Sequence, residues 1–248
     1  MSKMKILSFA LTCLCIASAG SAADWGSIKG QICLKGDVPE QALLHKKGAD
    51  VKDAAVCAAH DMINPEMIVD KETHGIANVF VFLAKAPGDI HPDAAAKEDT
   101  VTFDQKNCEF IPHALFVQAG QTVEVLNSDP VAHNTNVIFI RNQPANVIVP
   151  ANTAKGAGVG FSTTSRESLP VTVKCDFHPW MRAHWLVLDH PYAAVTDKEG
   201  RFEINNLPAG DHEFRIWHEK KGWLDRKYSV TVTAGETQEL EPAYFTLE

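Results

Sequence analysis

Residues 171–181 read Val-Thr-Val-Lys-Cys-Asp-Phe-His-Pro-Trp-Met. This stretch combines a strand pattern with three side chains that can bind a metal. Alternating apolar residues at the start of this stretch predict a short strand. A thiol, an imidazole and a thioether follow within seven residues, at Cys175, His178 and Met181. Soft sulfur with imidazole suits copper, whereas calcium and magnesium require oxygen donors. A trigonal Cys/His/His site with an axial methionine needs one more histidine from elsewhere.

We predict that this second histidine is His133. Residues 120–127 (Gly-Gln-Thr-Val-Glu-Val-Leu-Asn) predict a strand, and His133 follows in the expected loop at its end. One ligand from a strand end and three from a single loop would meet at one pole of a β-sandwich. The sequence therefore predicts one copper ion held by His133, Cys175, His178 and Met181.

These residues resemble the cupredoxins, the type 1 blue copper proteins of the plastocyanin and amicyanin kind. The resemblance covers about residues 109–189 and rests on the spacing C-x₂-H-x₂-M and on an upstream pattern. That pattern runs through Pro112, Val117, Gly120, Thr122, Val123, Asn127, His133 and Asn134. The likeness implies two equatorial histidines, a thiolate and a weak axial thioether. It also implies that Asn134 bonds across the ligand loops and tunes the thiolate.

The resemblance further implies how electrons would leave the site. Pro179 and Trp180 would form an apolar electron-exit patch around an exposed edge of His178, although ordinary packing of Trp180 is an equal alternative. The function implied is single-electron transfer between redox partners. A site saturated by four protein ligands lacks the open position of metal catalysis, so we expect a carrier and not an enzyme.

The two ends of the chain resemble a second family, the carboxypeptidase regulatory-like (transthyretin-like) β-sandwich. Residues 196–210 (Thr-Asp-Lys-Glu-Gly-Arg-Phe-Glu-Ile-Asn-Asn-Leu-Pro-Ala-Gly) carry its pattern, and residues 26–39 carry its usual opening. We therefore predict an all-β protein in which a Greek-key cupredoxin sandwich is inserted into a transthyretin-like one. The expected boundaries are 24–100, 101–189 and 190–248, since insertion at an exposed turn is well tolerated.

Short apolar or alternating runs bounded by turn residues predict strands along most of this length. The predicted strands cover residues 27–34, 77–84, 114–117, 122–126, 171–175, 185–188, 201–204, 212–217 and 228–233. Residues 51–67 are expected to be helical or irregular. Residues 141–160, rich in Asn, Pro, Ala and Gly, are expected to form a long surface loop.

Residues 1–23 have the pattern of a secretory signal peptide, with Lys3 and Lys5 before an apolar run and Ser-Ala-Ala at 21–23. We expect a periplasmic or secreted protein without a membrane span. Removing these residues leaves 21 basic and 31 acidic side chains, a formal net charge of −10. Such a surface disfavours nucleic acid and favours a basic redox partner, such as a cytochrome or a dehydrogenase.

Four cysteines remain after the signal, and an oxidising compartment allows two disulfides. If Cys175 binds metal, three are left for one bridge. Our choice is Cys57–Cys108, with Cys33 as a buried strand residue. An alternative is a structural zinc site that joins Cys57 and His60 to Cys175 and His178.

A binding module is the second function that the sequence allows. Trp217, Trp223 and Tyr228 could stack on sugars, although Trp217 lies on an alternating strand and is more simply a core residue. Copper storage or delivery is a third possibility. His113 and His184 are expected to be hydrogen-bonded structural histidines, with no assigned role.

Overall fold

The computed structural model describes residues 25–96 and 98–246, so the predicted signal peptide lies outside the described residues. Within them, one short helix, α1, spans Ala54–Cys57, and a 3₁₀ turn spans Pro92–Ala94. The strands are β1 Trp25–Leu34, β2 Leu43–His45, β3 Met62–Ile63, β4 Phe80–Leu83, β5 Thr100–Lys106, β6 Glu109–Ile111, β7 Ala114–Gln118, β8 Thr122–Val125, β9 His133–Val137, β10 Ala145–Val149, β11 Val159–Ser162, β12 Val171–Lys174, β13 Arg182–Leu188, β14 Ala193–Val195, β15 Arg201–Pro208, β16 Gly210–His218, β17 Gly222–Val232, β18 Thr237–Glu239 and β19 Ala243–Phe245. The predicted all-β class is confirmed. No helix in the described ranges is long and apolar enough to cross a membrane.

Strands β5–β13 form two sheets, which we call the central sandwich. One sheet has the order β10-β9-β12-β13-β7 and the other has the order β11-β8-β5-β6. Their inner faces share one core around Trp185, whose ring contacts Phe103, Phe139 and Phe161 at centroid distances of 5.0, 6.1 and 5.8 Å. Burial of such large apolar side chains is the main force that closes the two sheets.

Strands from both ends of the chain form the terminal sandwich, which comprises β1, β4 and β14–β19. Its sheets have the orders β15-β1-β18, with β19 also on β1, and β14-β4-β16-β17. A close backbone approach ties the two chain segments together. A Cβ on Gly75 would lie 1.8 Å from the carbonyl oxygen of Glu199, so glycine is required there. The pairing therefore depends on residues more than a hundred positions apart.

The two sandwiches pack against each other through β4 and β13. Val81 and Leu83 of β4 face the terminal core, whereas Phe80 and Phe82 point the other way. Phe80 and Phe82 share a small core with Leu186 and other apolar residues of β13 and β7. Because both faces of β4 are covered, its sequence is uniformly apolar and does not alternate.

A segment between β1 and β4 covers one end of the central sandwich. This capping segment, residues 43–63, contains α1 and the paired strands β2 and β3. Cys57 and Met62 are buried in the central core, although the sequence boundaries group them with the terminal sandwich. The segment therefore reaches across the junction toward the predicted copper loop.

Two local expectations differ from the structure. Residues 141–160 contain β10 and part of β11 and are not one long loop. His133 is the first residue of β9 and does not lie in a loop. The sequence of β9, His-Asn-Thr-Asn-Val, is polar, so it carries no apolar alternation, yet four of its five side chains are buried. Polar side chains buried by hydrogen bonding do not produce the period-two signal of a strand.

Candidate metal centre

Neighbouring strands bring three of the four predicted ligands together. β9 begins at His133 and pairs with β12, which ends one residue before Cys175. His178 lies in the tight connection from β12 to β13. A nitrogen of each histidine and the sulfur of Cys175 all lie within 4.8 Å of one another, and the three side chains are buried. These spacings allow one ion to contact all three atoms.

The two imidazoles face each other through their Nδ1 atoms, which are 2.9 Å apart. Each Nε2 is bonded to a carboxylate, that of His133 to Asp129 at 2.8 Å and that of His178 to Asp53 at 2.9 Å. An ionised carboxylate only accepts, so both Nε2 atoms donate, and each Nδ1 carries a lone pair when its imidazole is neutral and an N–H when the imidazole is protonated. Two lone pairs at this distance repel unless a proton or a metal ion lies between them. Carboxylate-oriented imidazoles are typical of metal-binding histidines.

Contacts with two imidazoles and with backbone N–H groups favour the thiolate form of Cys175. Its Sγ lies 3.7 Å from His178 Nδ1, and the protonated thiol can donate to Asn134 Oδ1 at 3.3 Å. Burial alone would raise the pKa of this thiol, but hydrogen bonds from His133 and His178 outweigh burial and lower the pKa to about 6. Burial likewise opposes the charged form of His133, yet the bonds to Asp129 and Cys175 raise its pKa. The donors are therefore matched in charge to a soft cation.

Met181 is buried in the same core as Cys175. Its backbone closes the loop, because Met181 N–H donates to the carbonyl of His178 at 2.9 Å and its own carbonyl accepts from Cys175 N–H at 3.2 Å. The loop from Cys175 to Met181 is therefore tight, and a hydrogen bond joins its first residue to its last. The donor set of two imidazoles and a thiolate, with this thioether in the same core, fits copper.

Asn134 anchors the ligand loop to β9. Its side-chain oxygen accepts from the backbone N–H of Asp176 at 2.7 Å and of Phe177 at 3.2 Å. Its amide nitrogen donates to Asn146 and to the carboxylate of Asp176. Hydrogen bonds from Lys174 and neighbouring asparagines lower the pKa of Asp176 to about 2. This network holds the backbone beside Cys175 in place.

The expected exposed edge of His178 is wrong. His178 is fully buried, since Asp53 covers its Nε2 and the ring of Trp180 packs on it at 5.3 Å. His45 of the capping segment packs on the other side of Trp180 at 5.3 Å. Pro179 is exposed and Trp180 is partly exposed, so these two residues, and not the imidazole, form the surface beside the site.

Cys57 and Cys108 form a disulfide, while Cys33 is free and buried in β1. Cys57 is therefore not available as a thiolate, and the alternative zinc site is wrong. The bridge joins α1 to the turn between β5 and β6, beside the buried Asp129. Its sulfurs lie near the site, since both belong with a nitrogen of His178 to a second group of atoms within 4.8 Å of one another. The bond thereby holds Asp53, the residue before α1, against His178.

Two of the aromatic residues considered for sugar binding, Trp217 and Trp223, are partly buried between the two sandwiches. Trp217 contacts Phe80 at 5.9 Å and His184 at 5.2 Å, which agrees with its interpretation as a core residue. Trp223 packs on Phe82 at 6.1 Å. Both rings belong to the junction between the sandwiches and do not form an open platform.

Sequence reasoning missed the two carboxylates that orient the imidazoles. Asp129 lies four residues before His133, close enough that the pattern Asp-x₃-His could have suggested a contact. Asp53 is 125 positions from His178, in a segment with no recognisable pattern. Such a contact follows only from the folded capping segment.

No protein-family model and no curated protein sequence matches this chain. Among solved structures, the chain is similar to a copper-containing nitrite reductase from Thermus scotoductus, with 22% identity and a TM-score of 0.31. It is also similar to a purple cupredoxin from Nitrosopumilus maritimus, at 18% and 0.29, and to amicyanin from Paracoccus versutus, at 15% and 0.30. These matches cover 42%, 35% and 44% of this chain. The match covers 25% of the reductase chain, so this chain spans about a quarter of the reductase. The matches cover 98% of the purple cupredoxin and 97% of amicyanin.

Proposed function

We propose that this chain is an exported carrier of single electrons, with one copper ion bound by His133, Cys175, His178 and Met181. The observation that carries the proposal is the convergence of one nitrogen of each histidine and the sulfur of Cys175, which lie within 4.8 Å of one another on buried side chains. When bound, copper supplies the Cu(I)/Cu(II) couple. The protein's part is to hold the donors in one arrangement for both oxidation states.

The surroundings of the ligands support electron transfer over metal delivery. Asp129 and Asp53 fix the imidazole rings, and Asn134 fixes the backbone next to the thiolate. Ligands held by hydrogen bonds and burial move little, which favours fast electron exchange and slow release of the metal. Water reaches none of the three donor side chains directly, so exchange with a chelator requires the loop to open.

The surface next to the site would be the contact for a redox partner. Pro179 and the partly exposed Trp180 lie beside the buried His178, so an electron would pass through one or two packed side chains. The acidic charge of the chain, −8 for the full sequence, favours a basic partner through long-range attraction.

Absorption spectroscopy on the purified protein tests the copper site. Addition of Cu(II) should produce one equivalent of an intensely blue species, because thiolate-to-copper charge transfer is characteristic of this donor set. Cys175→Ser should abolish the colour. Cys33→Ser removes the other free thiol of the part of the chain that the structure describes, which lies in the terminal sandwich, and should leave the colour unchanged. A colourless copper complex, or a blue complex that survives Cys175→Ser, would refute the site.

Voltammetry and chelator competition then separate a carrier from a delivery protein. A carrier should give a reversible one-electron wave and should retain copper for hours in excess chelator. Met181→Gln should keep the metal and shift the potential, because the axial ligand tunes it. Rapid loss of copper to the chelator with no reversible wave would favour delivery.

A further inference from the structure

A second cluster of donor side chains lies at the junction of the two sandwiches. His113 precedes β7 and His184 lies in β13, and the N–H of His184 donates to the carbonyl of His113 at 2.9 Å. Glu219 directly follows β16 of the terminal sandwich. One nitrogen of each histidine and one oxygen of Glu219 lie within 4.8 Å of one another. The cluster is therefore assembled only when the two sandwiches pack together.

The three side chains are already oriented toward each other. One carboxylate oxygen of Glu219 accepts from Nε2 of His113, and the other lies 3.6 Å from Nδ1 of His184. Their side chains are only 11%, 11% and 13% exposed for Glu219, His113 and His184. The ring of Trp217 packs on His184 at 5.2 Å and limits its rotation. Little side-chain freedom would be lost when these donors bind an ion.

All three donors stand at the wall of a cleft of about 380 Å³. Thr172, Trp180 and Arg182 also line this cleft. An ion bound by the three donors would therefore be reached from outside through the cleft. A site of three protein ligands keeps a fourth position for water or a small molecule, unlike a closed structural site.

We propose that His113, His184 and Glu219 bind a divalent transition-metal ion of the Zn²⁺ class, separately from the copper site. Two imidazoles and a carboxylate form a donor set that suits Zn²⁺, and the absence of a thiolate from the set disfavours Cu(I). The ion would join the two sandwiches, since the histidines come from one and the glutamate from the other. Because the ion would bind only the folded protein, it would stabilise the junction, and the effect would grow with the Zn²⁺ concentration.

Calorimetric titration with Zn²⁺ tests this proposal in a Cys175→Ser/His178→Gln background, which removes two donors from the copper site. The background protein should bind one ion. Glu219→Gln removes one ligand, and loss of an outer-shell partner alone weakens metal binding about 10- to 100-fold, so the affinity should fall by at least that much. Glu213→Gln, an exposed carboxylate on β16, the strand that Glu219 follows, should not change it. Absence of binding, or equal affinity in the Glu219 variant, would overturn the proposal.

X-ray absorption of the zinc-loaded background protein should show two imidazoles and one or two oxygens at about 2.0–2.2 Å. A spectrum with fewer than two imidazoles would contradict the assigned ligands. Should the background variant fail to fold, the unfolding temperature can be measured with and without Zn²⁺ in the single variant Cys175→Ser, which still lacks the thiolate of the copper site. Glu219→Gln should then reduce the Zn²⁺-induced rise and Glu213→Gln should not, and an undiminished rise in Glu219→Gln would overturn the site. Copper is used in neither test, so failure of the copper proposal would not affect the outcome.

Discussion

Replacing each of the two carboxylates that orient the ligand histidines should weaken copper binding, and by unequal amounts. Asp53 and Asp129 make nearly identical bonds to Nε2 atoms, at 2.9 and 2.8 Å, but their side chains are 34% and 4% exposed. Loss of such a partner lowers metal affinity about 10- to 100-fold. Water can replace the carboxylate at the exposed position. We therefore expect Asp53→Asn to lower the copper affinity by about tenfold, or 1.4 kcal/mol.

Asp129→Asn belongs at the upper end of that range. Its carboxylate also accepts the backbone N–H groups of Asn107 at 2.6 Å and of Cys108 at 2.8 Å, and water cannot easily enter to satisfy them. We expect about a 100-fold loss, or roughly 2.7 kcal/mol. Asparagine suits position 53 in particular, because that residue has a positive φ of 54°, which asparagine tolerates.

The assay is competition for Cu(I) between the protein and a chelator of known affinity at neutral pH. Asp50→Asn, an exposed carboxylate three residues before Asp53, serves as the control and should bind copper like the parent. The reasoning fails if neither variant loses affinity. It fails equally if Asp53→Asn is the weaker binder of the two, because burial would then not decide the strength of the contact.

Three further predictions concern stability and can be measured by urea unfolding of the metal-free protein. Removing the disulfide with Cys57→Ser/Cys108→Ser should cost about 4 kcal/mol, because the bridge closes a loop of 51 residues, and an unchanged midpoint would contradict this. Gly75→Ala should destabilise the terminal sandwich by about 1–3 kcal/mol, since its Cβ would meet the Glu199 carbonyl, and parental stability would contradict the close approach. Burial lowers the pKa of His190 from 6.5 to about 4, so the unfolded chain takes up the proton first as the pH falls. Stability should therefore be lost between pH 6.5 and 4, with about 2 kcal/mol gone by pH 5 from this residue. Burial lowers the pKa of His184 and of His218 to about 4 as well, so His190→Asn should reduce that dependence without removing it, and an identical pH profile would exclude His190 as a source.

The sequence predicted those parts of the fold that carry their signal locally. Strands with one buried face alternate clearly, as in β15, whose residues Phe202 and Ile204 are buried between exposed neighbours. The uniformly apolar β4 was also predicted as a strand, although nothing in its sequence shows that it faces two different cores. β9 was missed because three of its four buried side chains are polar and form hydrogen bonds.

The candidate site likewise has some residues that the local sequence predicts and others that it does not. Cys175, His178 and Met181 are close in sequence, so their spacing predicts a shared loop. His133 could be proposed from the strand before it, and strand pairing then places it beside Cys175. The covering of His178 by Asp53 could not be predicted, since it depends on how a short irregular segment folds over a distant loop. The predicted electron-exit edge was wrong for that reason.

The bridge between α1 and the β5–β6 turn has a consequence for how the protein matures. Without it, the stretch that carries Asp53 would be held to the central sandwich only by the contacts of residues such as Met62 and His45. The carboxylate of Asp53 would then be hydrogen-bonded to His178 for a smaller fraction of the time. In the reduced protein the proposed copper site would therefore be less completely formed, and pairing of the two thiols would strengthen its hold on the metal.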